Sequence, residues 1–243
     1  MNVEITGARI FLRLPFGILI TETQVNMWII MLVIALLCKW LTHNLKIKPA
    51  GKRQVVAEYL VTMANNFVVT NMGKSFKSFA PFIGALFTLS LLCSLSGLFG
   101  LYPPTADLNT TLGFATVTFV LIMYYKLKTN GLKGYLKGLA EPIPVLAPFN
   151  IIGEFSTPIS MAIRMFGNIS TGVVISTLVY AALAWLSSVV LQWLPGALAS
   201  IPILQLGLPA ILSIYFDLFS SVLQSFIFCM LTVLYIAQEA KSE

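Results

Sequence analysis

The chain has 243 residues, 58% of them hydrophobic and only 10% charged, with a formal net charge of +6. A soluble domain carries roughly a quarter charged residues. The apolar content here also comes in long runs rather than ten-residue alternating segments, so a soluble globule and a β-barrel are both excluded. The remaining class is an all-α integral membrane protein, read as one membrane domain over residues 1–243. Its basic residues flank the apolar runs, as topology signals do, and form no nucleic-acid signature. Cys38, Cys93 and Cys229 lie far apart in apolar stretches and read as small hydrophobes. His43 is the single histidine, so no metal cluster and no cofactor site is expected.

In chain order, residues 1–24 are mixed, with Glu4, Arg9, Arg13 and Glu22, and lack the order of a cleaved signal peptide. The first span covers Val25 to Leu41, or begins as early as Phe16, since crossing takes about 20 residues. Lys39 stands near its end, and Lys46, Lys48, Lys52 and Arg53 follow it closely. Within the segment 42–78, Val56, Leu60, Met63 and Phe67 recur at helical spacing, which predicts an amphipathic interfacial helix closed by Lys74 and Lys77. The second span runs from Phe79 to Leu101. Pro103, Pro104, Asp107 and Asn109 then mark a loop, and Asp107 offers a cap to the next helix. The third span, Thr110 to Tyr125, is short. Lys126, Lys128, Lys133 and Lys137 follow, then a proline-rich run, EPIPVLAPF, that is not regular helix. Two long apolar segments complete the chain, Asn150 to Trp193 and Ile201 to Ala237. The first holds 44 residues, about 66 Å as continuous helix against a bilayer core of about 30 Å. Re-entrant or interfacial pieces, or strong tilt, would each accommodate that length.

The side of each loop follows from its cations. Segments 42–78 and 126–137 carry six and four Lys/Arg, whereas 102–109 and 194–208 carry none. The positive-inside rule puts both basic segments in the cytoplasm. Five membrane segments then leave residues 1–24 outside and the C-terminus inside.

Between residues 155 and 238 only Arg164 and Asp217 are charged. An intramembrane Arg costs about 2.5 to 3.5 kcal/mol on insertion scales and marks a functional site whose partner can lie in another chain. The bland alternative is an Arg that only holds helices together. Ser160, Arg164, Asn168 and Thr171 follow at spacings of four, four and three, one face of a helix. Gly167 and Gly172 thin that region for close helix approach. Asp217, Ser221 and Gln224 likewise share a face of the last helix.

The run PISMAIRMFGNISTG, residues 158–172, closely resembles the arginine helix of the a subunit of F-type ATP synthases. FAPFIGALF, PPTADLNTT and FDLFSSVLQSFIFCMLTVLY are similar to further segments of that family, so the resemblance covers most of the chain. It implies a stator subunit without a catalytic site of its own, which couples proton or sodium translocation to rotation of a c-ring. The implied partners are the c-ring rotor subunits, b-type stator subunits, the rest of the ATP synthase complex and the lipid bilayer. Residues 150–238 would form a slanted helical hairpin around the rotor rim, in an inner (plasma) membrane. The ion-translocation residues implied are Arg164, Asn168, Asp217, Ser221 and Gln224. For Gln224 a plain inter-helix hydrogen bond is the other reading.

In one place the chain departs from the family. Nine positions after the arginine many members carry Glu or His, whereas this chain has Val173. Asp217 is then the single ionisable group of the usual pair, and Glu154 is the candidate second carboxylate, with its facing left open by Pro158. An intramembrane enzyme is excluded by the lone loop histidine and by Asp107 and Asp217 standing on different elements. A stand-alone multi-spanning ion channel or transporter is the alternative class, although the internal duplication usual for transporters is not visible.

Overall fold

The computed structural model describes residues 8–13, 15, 17, 19–46, 51–140, 143–191 and 214–240. Five of its helical segments are long and apolar enough to cross a membrane: Glu22–Leu41, Lys74–Phe99, Leu108–Leu139, Pro144–Ser187 and Ser220–Ala240. The chain is an all-α membrane protein with one addition. Strands β1 (Ile10–Arg13) and β2 (Leu19–Thr21) pair antiparallel ahead of the first helix. The turn between them carries Gly17 at φ +76°, a conformation that favours glycine.

Helix α1 (Glu22–Leu41) is 20 residues long, about 30 Å and one bilayer core. Helix α2 (Lys52–Met72) behaves differently along its length. Its C-terminal end buries Val68 and Met72, but Val56, Leu60 and Met63 of the expected apolar stripe stay exposed to the surroundings of the chain. A short 3-10 turn (Lys74–Phe79) leads into α3 (Ala80–Leu95).

Helix α4 (Leu108–Ala140) extends well beyond the Tyr125 end expected from the apolar run. Lys is a good helix former, so the helix continues after the hydrophobicity stops. Gly131, at φ 66° and ψ 168°, breaks it instead. Asp107 caps α4 as expected, its Oδ1 accepting from Asn109 N at 3.0 Å. Helix α5 (Ala147–Leu191) begins inside the proline-rich run, with Pro148 in its first turn, where a missing N–H leaves no helical bond unmade. At 45 residues it is about 67 Å long, roughly twice a bilayer core. Pro158 sits within it. The described part of the last segment runs from a π-helical turn, Ile214–Phe219, into α6 (Ser220–Ala240). Its expected beginning at Ile201 lies outside the described residues.

Helix α6 is the centre of packing. It buries Phe228, Cys229, Val233, Ile236 and Ala237 against Met72 of α2, Ile83 and Leu86 of α3, Phe114 of α4 and Met161 and Met165 of α5. In a bilayer such packing depends on close fit and inter-helix polar contacts, because lipid is as apolar as leucine. Small buried residues supply both. Thr118 and Thr232 face each other at 3.4 Å, while Thr232 also donates to Phe228 O at 2.8 Å.

The two ends of the bundle differ in their polar contacts. At one end Thr23 donates to Asp107 Oδ2 at 2.8 Å, and Asn26 Nδ2 donates to Tyr102 O at 3.0 Å. This fastens the start of α1 to the cation-free α3–α4 loop. Burial pushes the Tyr102 hydroxyl above its usual range, and the acids Asp107 and Glu22 add to the shift. At the opposite end Lys126, Glu154 and Glu239 meet.

Candidate ion-translocation site

Helix α5 has two unlike faces. Pro158, Met161, Ala162, Met165, Ile169 and Gly172 recur at helical spacing and are buried against the bundle. The other face carries Ser160, Ile163, Arg164, Asn168 and Thr171, all exposed. The four polar residues that share a face in the sequence therefore form one outward stripe. Among the described residues Arg164 forms no ion pair. Its charge is permanent, and a guanidinium exposed on a membrane helix needs an acidic or aqueous partner.

Asn168 lies one turn past Arg164 and reaches the last helix, its Nδ2 donating to Ser220 O at 3.5 Å. That contact joins α5 to the junction between the π-turn and α6. Asp217 belongs to the π-turn by its backbone, three residues before Ser220. π-Turns widen a helix and recur at functional positions. Ser221 and Gln224 are on the buried side of α6, unlike the outward stripe of Arg164. Among the described residues Ser221 Oγ is buried without a hydrogen-bond partner, and so is Ser225 Oγ, one turn further along. Buried hydroxyls are normally paired, so these two stand out beside Gln224. Ser225 was not singled out by sequence reasoning. Its four-residue spacing from Ser221 was the available signal.

Glu154 is not next to Arg164. Ten residues separate them, about 15 Å along the helix axis, and α5 continues through Pro158. Glu154 turns instead toward α4. It is ion-paired with Lys126, and Tyr135 Oη donates to Glu154 Oε2 at 2.7 Å. Lys126 Nζ also lies 3.7 Å from Glu239 Oε1 on α6 and 5.5 Å from the Tyr135 ring centre. With Thr157, Pro158 and Tyr235 these charges border a small cleft between α4, α5 and α6. Glu154 thus belongs to a polar bracket at the end of the bundle that carries the basic segments. Lys126, Tyr135 and Glu239 escaped sequence reasoning because each sits beside an apolar run and reads as a flank.

Among the described residues no group of three or more His, Cys, Asp or Glu side chains is placed to hold a metal ion. The chemistry on offer is electrostatic: one fixed cation on an exposed stripe, polar groups toward the next helix, and a charged bracket at one end.

Comparison with known proteins points to one family. The family model described as ATP synthase A chain matches residues 24–237. The chain is 34% identical over 237 residues to the sodium ion specific ATP synthase subunit a of Propionigenium modestum, covering 91% of this chain and 74% of that protein. It is 33% identical over 221 residues to ATP synthase subunit a 1 of Crocosphaera subtropica, with 90% and 86% covered. To ATP synthase subunit a of Moorella thermoacetica it is 31% identical over 219 residues, with 90% of each covered.

Proposed function

This chain belongs to the ATP synthase A chain family, and from that premise we propose that Arg164 is the fixed charge past which the carboxylates of a c-ring rotor move. Membership makes the chain an ion-translocating membrane subunit of the ATP synthase complex rather than its catalytic subunit. The observation that supports the finer reading is the outward stripe of Ser160, Arg164, Asn168 and Thr171 on a helix whose opposite face is buried.

The mechanism follows from charge and solvation. A rotor carboxylate facing lipid is stable only when neutral, by protonation or by binding a cation. As it nears Arg164, the guanidinium favours the ionised form and the ion is released. Arg does not titrate, so it cannot relay that ion itself. The same charge repels cations and blocks a direct leak between two aqueous half-channels offset on either side of it. Each charge moved gains about 2.3 kcal/mol per 100 mV of membrane potential. Asp217, with Ser221 and Gln224, lines the half-channel from the outer side, Asn168 positions the α5–α6 junction, and Glu154 lies toward the inner side. Residues 150–238 form the hairpin against the ring, and b-type subunits hold the chain as part of the stator. The basic segments face the cytoplasm of a plasma membrane, with residues 1–24 outside and residues 42–78 inside.

Cysteine cross-linking to the rotor tests the proposed contact face. In the assembled complex, Ile163→Cys should form a disulfide with a cysteine placed beside the rotor carboxylate, and Ala162→Cys, on the buried face, should not. Cross-linking from position 162 alone would turn α5 the other way and contradict the reading.

A further inference from the structure

We propose that the end of α1 and the first half of α2 form a binding site for anionic phospholipid, with the headgroup held by Lys39, Lys46, Lys52 and Arg53 and the acyl chains lying along Val56, Leu60 and Met63. This goes beyond the ion path and does not depend on it.

Three observations converge. The first is that the cations are gathered by specific contacts. The Gln54 side chain clasps Lys46 in both directions, accepting from Lys46 N at 3.1 Å and donating to Lys46 O at 2.6 Å. That brings the segment after α1 onto the first turn of α2, beside Lys52 and Arg53. The Arg53 guanidinium lies 5.3 Å from the centre of the Trp40 ring, closing the same gap from the other side. Like charges drawn together by their neighbours favour an anion. Glu58 is the nearby acid, and it accepts from Gln54 Nε2 at 2.7 Å.

The second observation is the uncovered apolar surface that starts at this cluster. Val55, Val56, Tyr59, Leu60, Val61 and Met63 are between 48% and 67% exposed. Helix α2 is not among the segments long and apolar enough to count as a membrane crossing.

The third is depth. Trp40 is 54% exposed in the last turn of a helix one bilayer core long, where tryptophan marks the headgroup level. A cation cluster next to an interfacial Trp, continuing into an exposed apolar helix, matches a lipid with a negative headgroup and two tails. Lys/Arg clusters immediately beside a membrane helix recognise anionic lipid, each residue strengthening partitioning about five-fold.

The test uses the assembled complex reconstituted in phosphatidylcholine vesicles containing a trace of diazirine-tailed phosphatidylglycerol or diazirine-tailed phosphatidylcholine. After illumination, lipid adducts on the α2 peptide are counted by mass spectrometry, with the peptide spanning the 102–108 loop as the control. The expected result is roughly 25-fold more adduct from phosphatidylglycerol than from phosphatidylcholine on α2, and no preference at the control. Arg53→Gln should cut that preference about five-fold, and adding Lys52→Gln should bring it close to parity. Arg53→Lys, which keeps charge but loses the stacking plane, should retain more than Arg53→Gln. Equal labelling by the two lipids would mean a merely apolar surface and overturn the proposal. Absence of adducts from either lipid would mean that another protein covers the face, and would overturn it as well.

Discussion

A single charge in an apolar run can be read without any structure, and Arg164 is that case. Its cost in a bilayer singles it out whatever the fold around it, and the stripe through Ser160, Asn168 and Thr171 follows from helical spacing alone. The Lys126–Glu154 pair could not be read that way. Its members are 28 residues apart on different helices, and only packing brings them together. Locally, Lys126 is one more cation after an apolar span. The structure makes it the centre of a bracket between two acids, which argues for a role in holding α4, α5 and α6 together. Lys126→Met should destabilise the subunit by about 1 to 3 kcal/mol, because Glu154 loses its partner in a poorly solvated place. Thermal unfolding of the detergent-solubilised complex checks this. Adding Glu154→Gln should recover part of the loss, since the carboxylate nearest the lost cation is then neutral. A fully additive double variant would mean the pair is not coupled. Asp217→Asn, nearly isosteric, should slow ATP-driven ion pumping markedly at normal assembly. Unchanged pumping would remove Asp217 from the ion path.

At the scale of the element, periodic and long segments were legible and irregular ones were not. The over-long fifth helix was apparent from its apolar length, and the cap at Asp107 from its residue type. The N-terminal hairpin was not, because its strands are only four and three residues long, too short for an alternating pattern to stand out. The apolar run predicts an end to α4 at Tyr125, since hydrophobicity stops there while helix propensity does not. Its true break at Gly131 depends on a positive φ that only glycine takes readily. Gly131→Ala should therefore cost about 1 to 2 kcal/mol, or straighten the break into continuous helix. Site-directed spin labels at positions 128 and 136 would distinguish these by their separation. No change in stability and no change in separation would show that the break is not held by this residue.

For the whole molecule, the alternation of ends agrees with the charge pattern. Thr23 and Asn26 meet the cation-free loop, whereas Lys126 meets Glu154 and Glu239 at the opposite end. Which end faces the cytoplasm is a prediction from the positive-inside rule. Leu132→Cys, 68% exposed, should react with an impermeant thiol reagent only from the cytoplasmic side, and Phe99→Cys, 81% exposed, only from outside. The reverse pattern would invert the whole arrangement. The proposed coupling also belongs to this scale, because it needs the exposed stripe, the helix that carries it and a rotor outside the chain. Arg164→Ala removes the permanent charge while leaving the buried face of α5 untouched. Arg164→Lys keeps a charge but loses the planar fork, and desolvation can lower its pKa. The most direct measurement is ATP synthesis together with passive ion flux, in membranes holding equal amounts of assembled wild-type, Arg164→Ala and Arg164→Lys complex. The account predicts no synthesis with Ala and a passive leak that persists or rises, with Lys blocking part of the leak yet failing to restore synthesis. Near-normal synthesis with Ala at this position would contradict it.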